Sequence, residues 1–131
     1  MITSLYSGIL GLLFFKISID TIQARGKEKV SLGVGEKNQI MHIVSAHSNF
    51  SSYTPFFLFQ LFLLESSTFN TVFLHITALA FTLGRILHYL SMKDKEVTFK
   101  KRKLGMQLTL FPLIALSFIN IGIFLSHALI K

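Results

Sequence analysis

Residues 45–55 read SAHSNFSSYTP and lead directly into the apolar run FFLFQLFLLE at residues 56–65. The polar stretch is either a loop or a helix that carries polar side chains into a bilayer. At 100° per residue, His42, Ser45, Asn49 and Ser52 share one stripe, which begins near Asn38 and is extended by Gln60. Loops do not order polar residues along one face. The pattern therefore predicts a helix whose polar stripe faces protein rather than lipid, with His47 pointing the other way.

The composition is that of an integral membrane protein. Of the 131 residues, 51% are hydrophobic, only 15% are charged and 14 are Phe, and the mean hydropathy is +0.59. Four apolar stretches, residues 3–24, 39–64, 69–92 and 104–130, each supply the roughly 20 residues that a bilayer-spanning helix needs. We predict an all-α, up-down bundle of four transmembrane helices forming a single domain over residues 1–131. Because the middle connection is short, helices two and three are expected to form an antiparallel hairpin.

The basic residues are concentrated in two of the predicted loops. Residues 25–37 contain four Lys or Arg and residues 93–103 contain six, whereas residues 65–70 contain none. The positive-inside rule predicts that the two basic loops are cytoplasmic and that both termini lie outside. This topology and anionic lipid headgroups account for the net charge of +7 without nucleic acid as a partner. MITSLYSGILGLLFF at residues 1–15 lacks a basic n-region and is interpreted as a retained first helix.

Glycine and proline mark the expected irregularities. Gly26, Gly33 and Gly35 suit an irregular connector after a first helix that ends near Ala24. The fourth helix is expected to begin at Arg102 or Leu104. Pro55 and Pro112 lie inside the second and fourth predicted helices, where each leaves one backbone carbonyl without its usual donor.

Several kinds of site are excluded or unsupported. Cysteine is absent, which excludes disulfides, thiolate metal sites and a cysteine nucleophile. The five histidines include no i, i+4 pair and no HExxH motif. No metal site is predicted.

Charged residues inside the predicted spans are the first candidates for function. Arg85 and His88 are separated by three residues on the third helix, with Thr82 and Tyr89 beside them. Arg85 lies about 10 Å from the basic end of its helix at 1.5 Å per residue. A charge at this depth usually faces a cavity or a partner, and a buried guanidinium suits a carboxylate-bearing ligand.

Lys16 and Asp20 are four residues apart on the first helix, which predicts a structural ion pair. Asp20 is also a candidate counter-ion for Arg85, since the two residues reach similar depths. For Ser45, Asn49 and Ser52 two interpretations stay open: ordinary interhelical hydrogen bonds, or contacts to a ligand.

Three sequence motifs together resemble the MAPEG family, the membrane-associated proteins of eicosanoid and glutathione metabolism, and in particular its small bacterial branch. They are H-x-N-x-x-x-Y-x-P at residues 47–55, G-R-x-x-H-Y at 84–89 and L-G-M-x-L-T at 104–109. The resemblance covers nearly the whole chain. It implies a homotrimer of four-helix subunits in which glutathione is the co-substrate and a lipophilic small molecule enters from the membrane lipids.

The resemblance also implies roles for individual residues. The second-helix pattern of the family is Arg-x-His-x-Asn-x-x-Glu, and here Ser45 and Ser52 replace the Arg and the Glu. The residues expected to bind glutathione are Asn49, Arg85, His88, Tyr89 and His47. The catalytic arginine at the start of helix four has Arg102 or Lys103 as its counterpart, and Arg102 is preferred.

Two functions from different classes follow. The first is a membrane-embedded glutathione-dependent transferase or peroxidase that acts on lipophilic electrophiles through an altered site. The alternative is a non-catalytic module that binds a lipid or a partner protein, with Ser45 and Ser52 as neutral hydrogen-bonding groups. A transporter subunit is the weakest interpretation, because the chain lacks internal repeats. The bacterial inner membrane is the expected location.

Overall fold

The computed structural model describes residues 1–31, 33, 38–93 and 99–129, without the side chains of residues 38 and 39. Four α-helices account for almost all of them: α1 (Ile2–Glu28), α2 (Asn38–Ser66), α3 (Thr71–Lys93) and α4 (Phe99–Leu129). The helices contain between 23 and 31 residues. At 1.5 Å per residue each is longer than the ~30 Å hydrocarbon core of a bilayer. The predicted four-helix fold is confirmed.

Three of the described helices, α1, α3 and α4, are apolar enough over their length to cross a membrane. The remaining helix, α2, carries the polar stretch 45–54 in its first half. The second half of α2 is nonetheless largely apolar and includes Phe56 and Phe59, which are both exposed. The chain is therefore an integral membrane protein, and α2 differs from the other three helices by the polar stretch in its first half.

The helix boundaries differ from the sequence prediction at the basic loops. Helix α1 continues past Ala24 to Glu28 and ends on Lys29, whose left-handed conformation (φ 54°) lets its N–H bond back to the carbonyls of Arg25 and Gly26. Gly26 is thus helical, and the prediction that it belongs to an irregular connector is wrong. Gly35 lies outside the described residues.

Helix α4 begins at Phe99, earlier than the predicted start at Arg102 or Leu104. The basic run at residues 100–103 is therefore the first turn of the helix rather than part of a loop. Lysine and arginine are good helix formers, and their charges remain in water at this end of the chain. Residues 94–98 and 130–131 lie outside the described part of the chain.

A tight turn joins α2 to α3 and fixes them as antiparallel neighbours. Ser67 donates its N–H to the carbonyl of Leu63, and Thr68 adopts a left-handed conformation with φ 56°. The Asn70 side chain then caps α3 by accepting the N–H of Phe73 at 2.9 Å. This short connection matches the predicted hairpin.

The core lies where α2 and α3 meet. Phe57 and Phe81 stack with ring centroids 3.8 Å apart and planes 7° apart, and both side chains are fully buried. Helix α1 packs on α2 and α3 from one side, and α4 packs on the same pair from the other. The α2–α3 pair therefore forms the centre of the bundle, and its polar residues can reach either outer helix.

A carboxylate from α2 caps the start of α1. Glu65 accepts the N–H of Ile2 at 2.5 Å and that of Thr3 at 3.0 Å. The first N–H groups of a helix have no partner within it, and a negative charge there is favoured by the helix dipole. This contact ties α1 to the end of the bundle opposite the basic residues.

Candidate functional site

The site begins with an unusually close approach of α3 and α4. A Cβ atom on Gly105 would lie 2.8 Å from the backbone N of His88 and 2.9 Å from the carbonyl oxygen of Gly84. A Cβ on Gly84 would lie 2.9 Å from the carbonyl oxygen of Gly105. Both positions accept only glycine at this separation, as is common where transmembrane helices cross. The crossing places Arg85 and His88 directly against α4.

Arg85 links three helices through its guanidinium group. One terminal nitrogen donates to Asn49 Oδ1 on α2, and the other donates to Thr109 Oγ1 on α4. The second nitrogen also lies 3.6 Å from the sulfur of Met106. The side chain is only 1% exposed. Its charge is thus held inside the chain by neutral groups.

Two aromatic rings complete the surroundings of Arg85. Its guanidinium carbon lies 5.5 Å from the ring centroid of Tyr53 and 5.7 Å from that of Phe81. Such contacts partly compensate a buried cation. The Nε atom has no hydrogen-bond partner among the described residues. Among the described residues, no carboxylate forms an ion pair with Arg85.

Asp20 belongs to a different cluster. Its carboxylate accepts from Lys16 on its own helix and from Tyr89 on α3. Lys93 Nζ, at the end of α3, lies 2.8 Å from Asp20 Oδ2. The structure thus joins Lys16 to Asp20, but Asp20 is not the counter-ion of Arg85. Tyr89 and Lys93 lie one and two turns further along α3, on the side that faces α1, and they take the carboxylate instead.

Asn49 is partly exposed, and its amide has hydrogen-bonding capacity beyond its contact with Arg85. Because its Oδ1 atom accepts from Arg85, its two N–H donors are left for another partner. Ser45 and Ser52 lie one turn away on either side of Asn49 and are exposed, so this chain does not cover them. The predicted polar stripe therefore divides: Gln60 and the oxygen of Asn49 bind within the bundle, and the two serines form an exposed neutral surface.

Arg102 lies in the first turn of α4. Arg102, Gly105 and Thr109 follow at i, i+3 and i+7 and therefore share one face of the helix. Gly105 and Thr109 both contact α3, so Arg102 extends the same face by one turn towards the basic end. Its side chain is exposed. Lys103 is rotated by about 100° from this face, so only Arg102 of the two continues the face formed by Gly105 and Thr109.

Two of the other predicted ligand-binding residues, His47 and Tyr89, bind to α1 instead of lying beside Arg85. His47 Nε2 lies 3.2 Å from Ser18 Oγ, and its ring is 5.1 Å from the ring of Phe14, both on α1. Tyr89 is bound to Asp20. His88 is beside Arg85 on α3 and is buried at 4% exposure. The structure therefore groups Asn49, Arg85 and His88, whereas His47 and Tyr89 are directed to α1.

Thr109 and Tyr53 were not among the predicted site residues. Both occur in the sequence motifs that carried the resemblance, but a threonine or tyrosine in an apolar helix has no distinctive spacing. The available signal was the i+4 relation between Gly105 and Thr109, which places the hydroxyl one turn above the glycine crossing. Within the described ranges, no group of three or more His, Asp or Glu side chains could hold a metal ion.

A profile described as the MAPEG family matches residues 3–122. The chain belongs to the MAPEG family. No curated protein matches it. The match spans all three motifs, so the glycine crossing, Arg85 and Asn49 lie within the MAPEG region of the chain. The family includes glutathione transferases and peroxidases as well as non-catalytic members.

Proposed function

We propose that this MAPEG protein is a glutathione-dependent transferase or peroxidase that acts on lipophilic electrophiles in the membrane. The observation that supports this most directly is the fixed amide group of Asn49. Arg85 binds its oxygen, which leaves its two N–H donors for another partner, and Ser45 and Ser52 are exposed one turn away on the same helix. Asn49 and Ser45 can donate hydrogen bonds to a peptide carboxylate, whereas the hydroxyl of Ser52 already donates to the carbonyl of Ser48. Neutral side chains bind a carboxylate more weakly than the arginine of the family pattern would, because charge-assisted hydrogen bonds are roughly twice as strong as neutral ones.

Arg85 acts in this proposal as a positioning residue. Its guanidinium is buried at 1% exposure and its terminal nitrogens are already bound to Asn49 and Thr109. A ligand would therefore meet the amide of Asn49 rather than Arg85 itself. The positive charge behind the amide still polarises it and favours an anion at its N–H groups.

Arg102 is the residue proposed to act on the reacting atom. Glutathione supplies a thiol, which reacts as the thiolate although its ordinary pKa is about 8.5. Arg102 combines a positive charge with the positive end of the α4 dipole, and both favour the anion. Arg102 precedes Thr109 by seven residues, which is about 10 Å along α4. Asn49 lies at the level of Thr109, because Arg85 binds both side chains. An extended tripeptide spans a similar distance, so one glutathione can reach from Asn49 to Arg102.

The proposed transferase step is a nucleophilic substitution by the glutathione thiolate. The thiolate sulfur forms a bond to an electrophilic carbon, and the leaving group departs with the bonding electron pair. No nucleophile from the chain is needed, so the absence of cysteine is compatible with the reaction. The protein contributes the position of the thiolate and the positive charge beside it.

Glutathione binding can be tested by thermal unfolding in detergent. A ligand that binds the native state raises the unfolding temperature in a saturable manner. We expect such a rise with glutathione, and a loss of most of it in Asn49→Ala. Ser51→Ala is the matched control, because Ser51 is exposed on another face of α2 and bonds only to the carbonyl of His47. If glutathione produces no saturable rise at millimolar concentration, the glutathione proposal fails and the non-catalytic function is favoured.

A non-catalytic role as a lipid- or partner-binding protein is the second proposal. It is favoured by the two serines at positions where the family pattern has Arg and Glu. Without those charges, Ser45 and Ser52 offer only neutral hydrogen bonds. The same glutathione titration separates the two functions.

We also propose that the protein is a homotrimer, as in the family. Support comes from an exposed seam on α2, in which Ser45, Ser48 and Ser52 continue into Phe56 and Phe59. Hydroxyl groups that face lipid hydrocarbon have a lower free energy when a neighbouring helix covers them and supplies hydrogen-bond partners. Cysteine at Ser48, in a chain with no other cysteine, is expected to cross-link between subunits. The same substitution at Ile76, exposed on α3, serves as the control. Equal cross-linking from both positions would contradict a trimer centred on α2.

A further inference from the structure

A cavity lies at the basic end of the bundle, between the last turns of α1, the first turns of α2 and the end of α3. Its volume is about 400 Å³. Buried apolar side chains of Ile40, Ile43 and Met92 form part of its lining. Asp20 and Lys93 line it as well. The cavity thus combines an apolar wall with a charged one.

This cavity is separate from the surface around Asn49. Ile40 lies nine residues before Asn49, which places it about 180° away around α2. On α3, Lys93 faces Asp20 on α1, whereas Arg85 binds Asn49 and Thr109. The two sites therefore open on opposite sides of the α2–α3 pair. The proposed glutathione chemistry does not involve this cavity.

The charged wall contains two lysines and two carboxylates, and a third lysine binds one of these carboxylates from outside the cavity. Asp20 is shared between Lys16 and Lys93, so two ammonium groups meet one carboxylate. Lys27 and Glu28 also line the cavity. Together with Lys16, which binds Asp20 from outside the lining, the five side chains carry one positive charge in excess. Gln23 and His42 add polar groups to the lining. Lys27 is exposed and Lys93 keeps 45% of its side chain accessible, so both ammonium groups can reach an added anion.

The surroundings favour a lipid as the source of that anion. Lys93 is the last residue of α3, and the basic residues of α1 and α4 lie at the same end of the bundle. Anionic headgroups attract such residues by about 1 kcal/mol for each Lys or Arg near the surface. The apolar wall of Ile40, Ile43 and Met92 suits the glycerol and the first methylene groups of a lipid.

We propose that this cavity is a binding site for the phosphate headgroup of an anionic membrane phospholipid. Lys27 and Lys93 contact the phosphate, and Asp20 holds Lys93 in place from the other side. Ile40, Ile43 and Met92 contact the glycerol region. The site does not depend on glutathione, so it belongs equally to a catalytic and a non-catalytic protein.

The test is a titration of the full chain in dodecylmaltoside with dioctanoyl phosphatidylglycerol, followed by the unfolding temperature. We expect a saturable rise that dioctanoyl phosphatidylcholine and inorganic phosphate do not produce. Lys27→Gln is expected to weaken the apparent affinity about tenfold, as for the loss of one charge-assisted contact. Lys101→Gln is the matched control, since it removes one exposed lysine from the same end of the bundle but not from the cavity.

A second variant tests the cavity without changing its charge. Ala24 lines the cavity, so Ala24→Leu should fill part of it and also weaken the response to phosphatidylglycerol. An equal loss in Lys101→Gln and Lys27→Gln would mean diffuse attraction and would overturn the site. Equal saturation by phosphatidylcholine would overturn its preference for anionic lipids. Saturation by inorganic phosphate at the same concentration would show a free-anion site and overturn the lipid assignment.

Discussion

Asp20 and Arg85 show how single charges are accommodated inside this bundle. Asp20, at 8% exposure, is neutralised by two lysines whose side chains are 56% and 45% exposed. Arg85 is 1% exposed and is bound instead by an amide, a hydroxyl and two aromatic rings. The carboxylate therefore depends on partners that reach it from the surface, and the guanidinium depends on the packing of three helices. We expect the two residues to respond differently to substitution.

Asp20→Asn is expected to lower the free energy of unfolding by about 1–3 kcal/mol, because Tyr89 and Lys93 lose a charged acceptor. Reversible unfolding in mixed dodecylmaltoside and SDS micelles measures the change. Lys16→Gln removes a partner that is 56% exposed. Its effect should stay below about 0.5 kcal/mol, as is usual for exposed ion pairs. A larger loss in Lys16→Gln than in Asp20→Asn would show that Asp20 is not the centre of the cluster.

At the scale of the helices, two contacts decide how the site is assembled. The glycine crossing brings α3 and α4 together at Gly84 and Gly105. The carboxylate of Glu65 anchors the start of α1 at the opposite end from Asp20. Helix α1 is thus held near both ends by carboxylate contacts, whereas α4 is held to α3 by close backbone packing. The position of Thr109 beside Arg85 depends on the second type of contact.

Gly105→Ala is expected to lower the free energy of unfolding by about 1–3 kcal/mol, the usual cost of overpacking. The added Cβ would lie 2.8 Å from the backbone N of His88, which cannot move unless the helices separate. Gly122→Ala is the control, since no atom lies within 4 Å of its Cβ position. That variant should be neutral or slightly stabilising, because alanine favours helix. Equal stability of the two variants would contradict the close crossing.

For the whole molecule, the distribution of basic residues leads to a proposed orientation. We propose that the basic end faces the cytoplasm of a bacterial inner membrane and that both termini are periplasmic. Ten Lys and Arg residues in segments 25–37 and 93–103, against none in 65–70, support this orientation. The same orientation places the proposed phospholipid cavity in the cytoplasmic leaflet, where anionic lipids are concentrated in many membranes.

The orientation can be checked with single cysteines, because the chain has none of its own. Cysteines at Ser31 and Thr98 are expected to be protected from an impermeant thiol reagent in intact cells. A cysteine at Ser67, in the turn between α2 and α3, should be labelled by the same reagent. Labelling at Ser31 and Thr98 with protection at Ser67 would reverse the proposed orientation.

Much of the architecture could be read from the sequence alone. Four apolar segments of sufficient length require four helices in a bilayer, since backbone groups there must bond within their own segment. The periodicity of residues 42–60 identified a helix rather than a loop. The helix ends at the basic segments were placed less well. Apolar patterning stops at the membrane edge, but lysine- and arginine-rich sequence continues as helix in water.

Only the tertiary structure decided how the charged residues are paired. Depth along a helix follows from residue number, so the sequence placed Asp20 and Arg85 at similar levels. Rotation about the helix axis and the choice of neighbouring helix do not follow from depth. Tyr89 and Lys93 face α1 and bind Asp20. The close crossing at Gly84 and Gly105 brings Thr109 into contact with Arg85. These partners come from different helices, and their contacts depend on how the helices pack together.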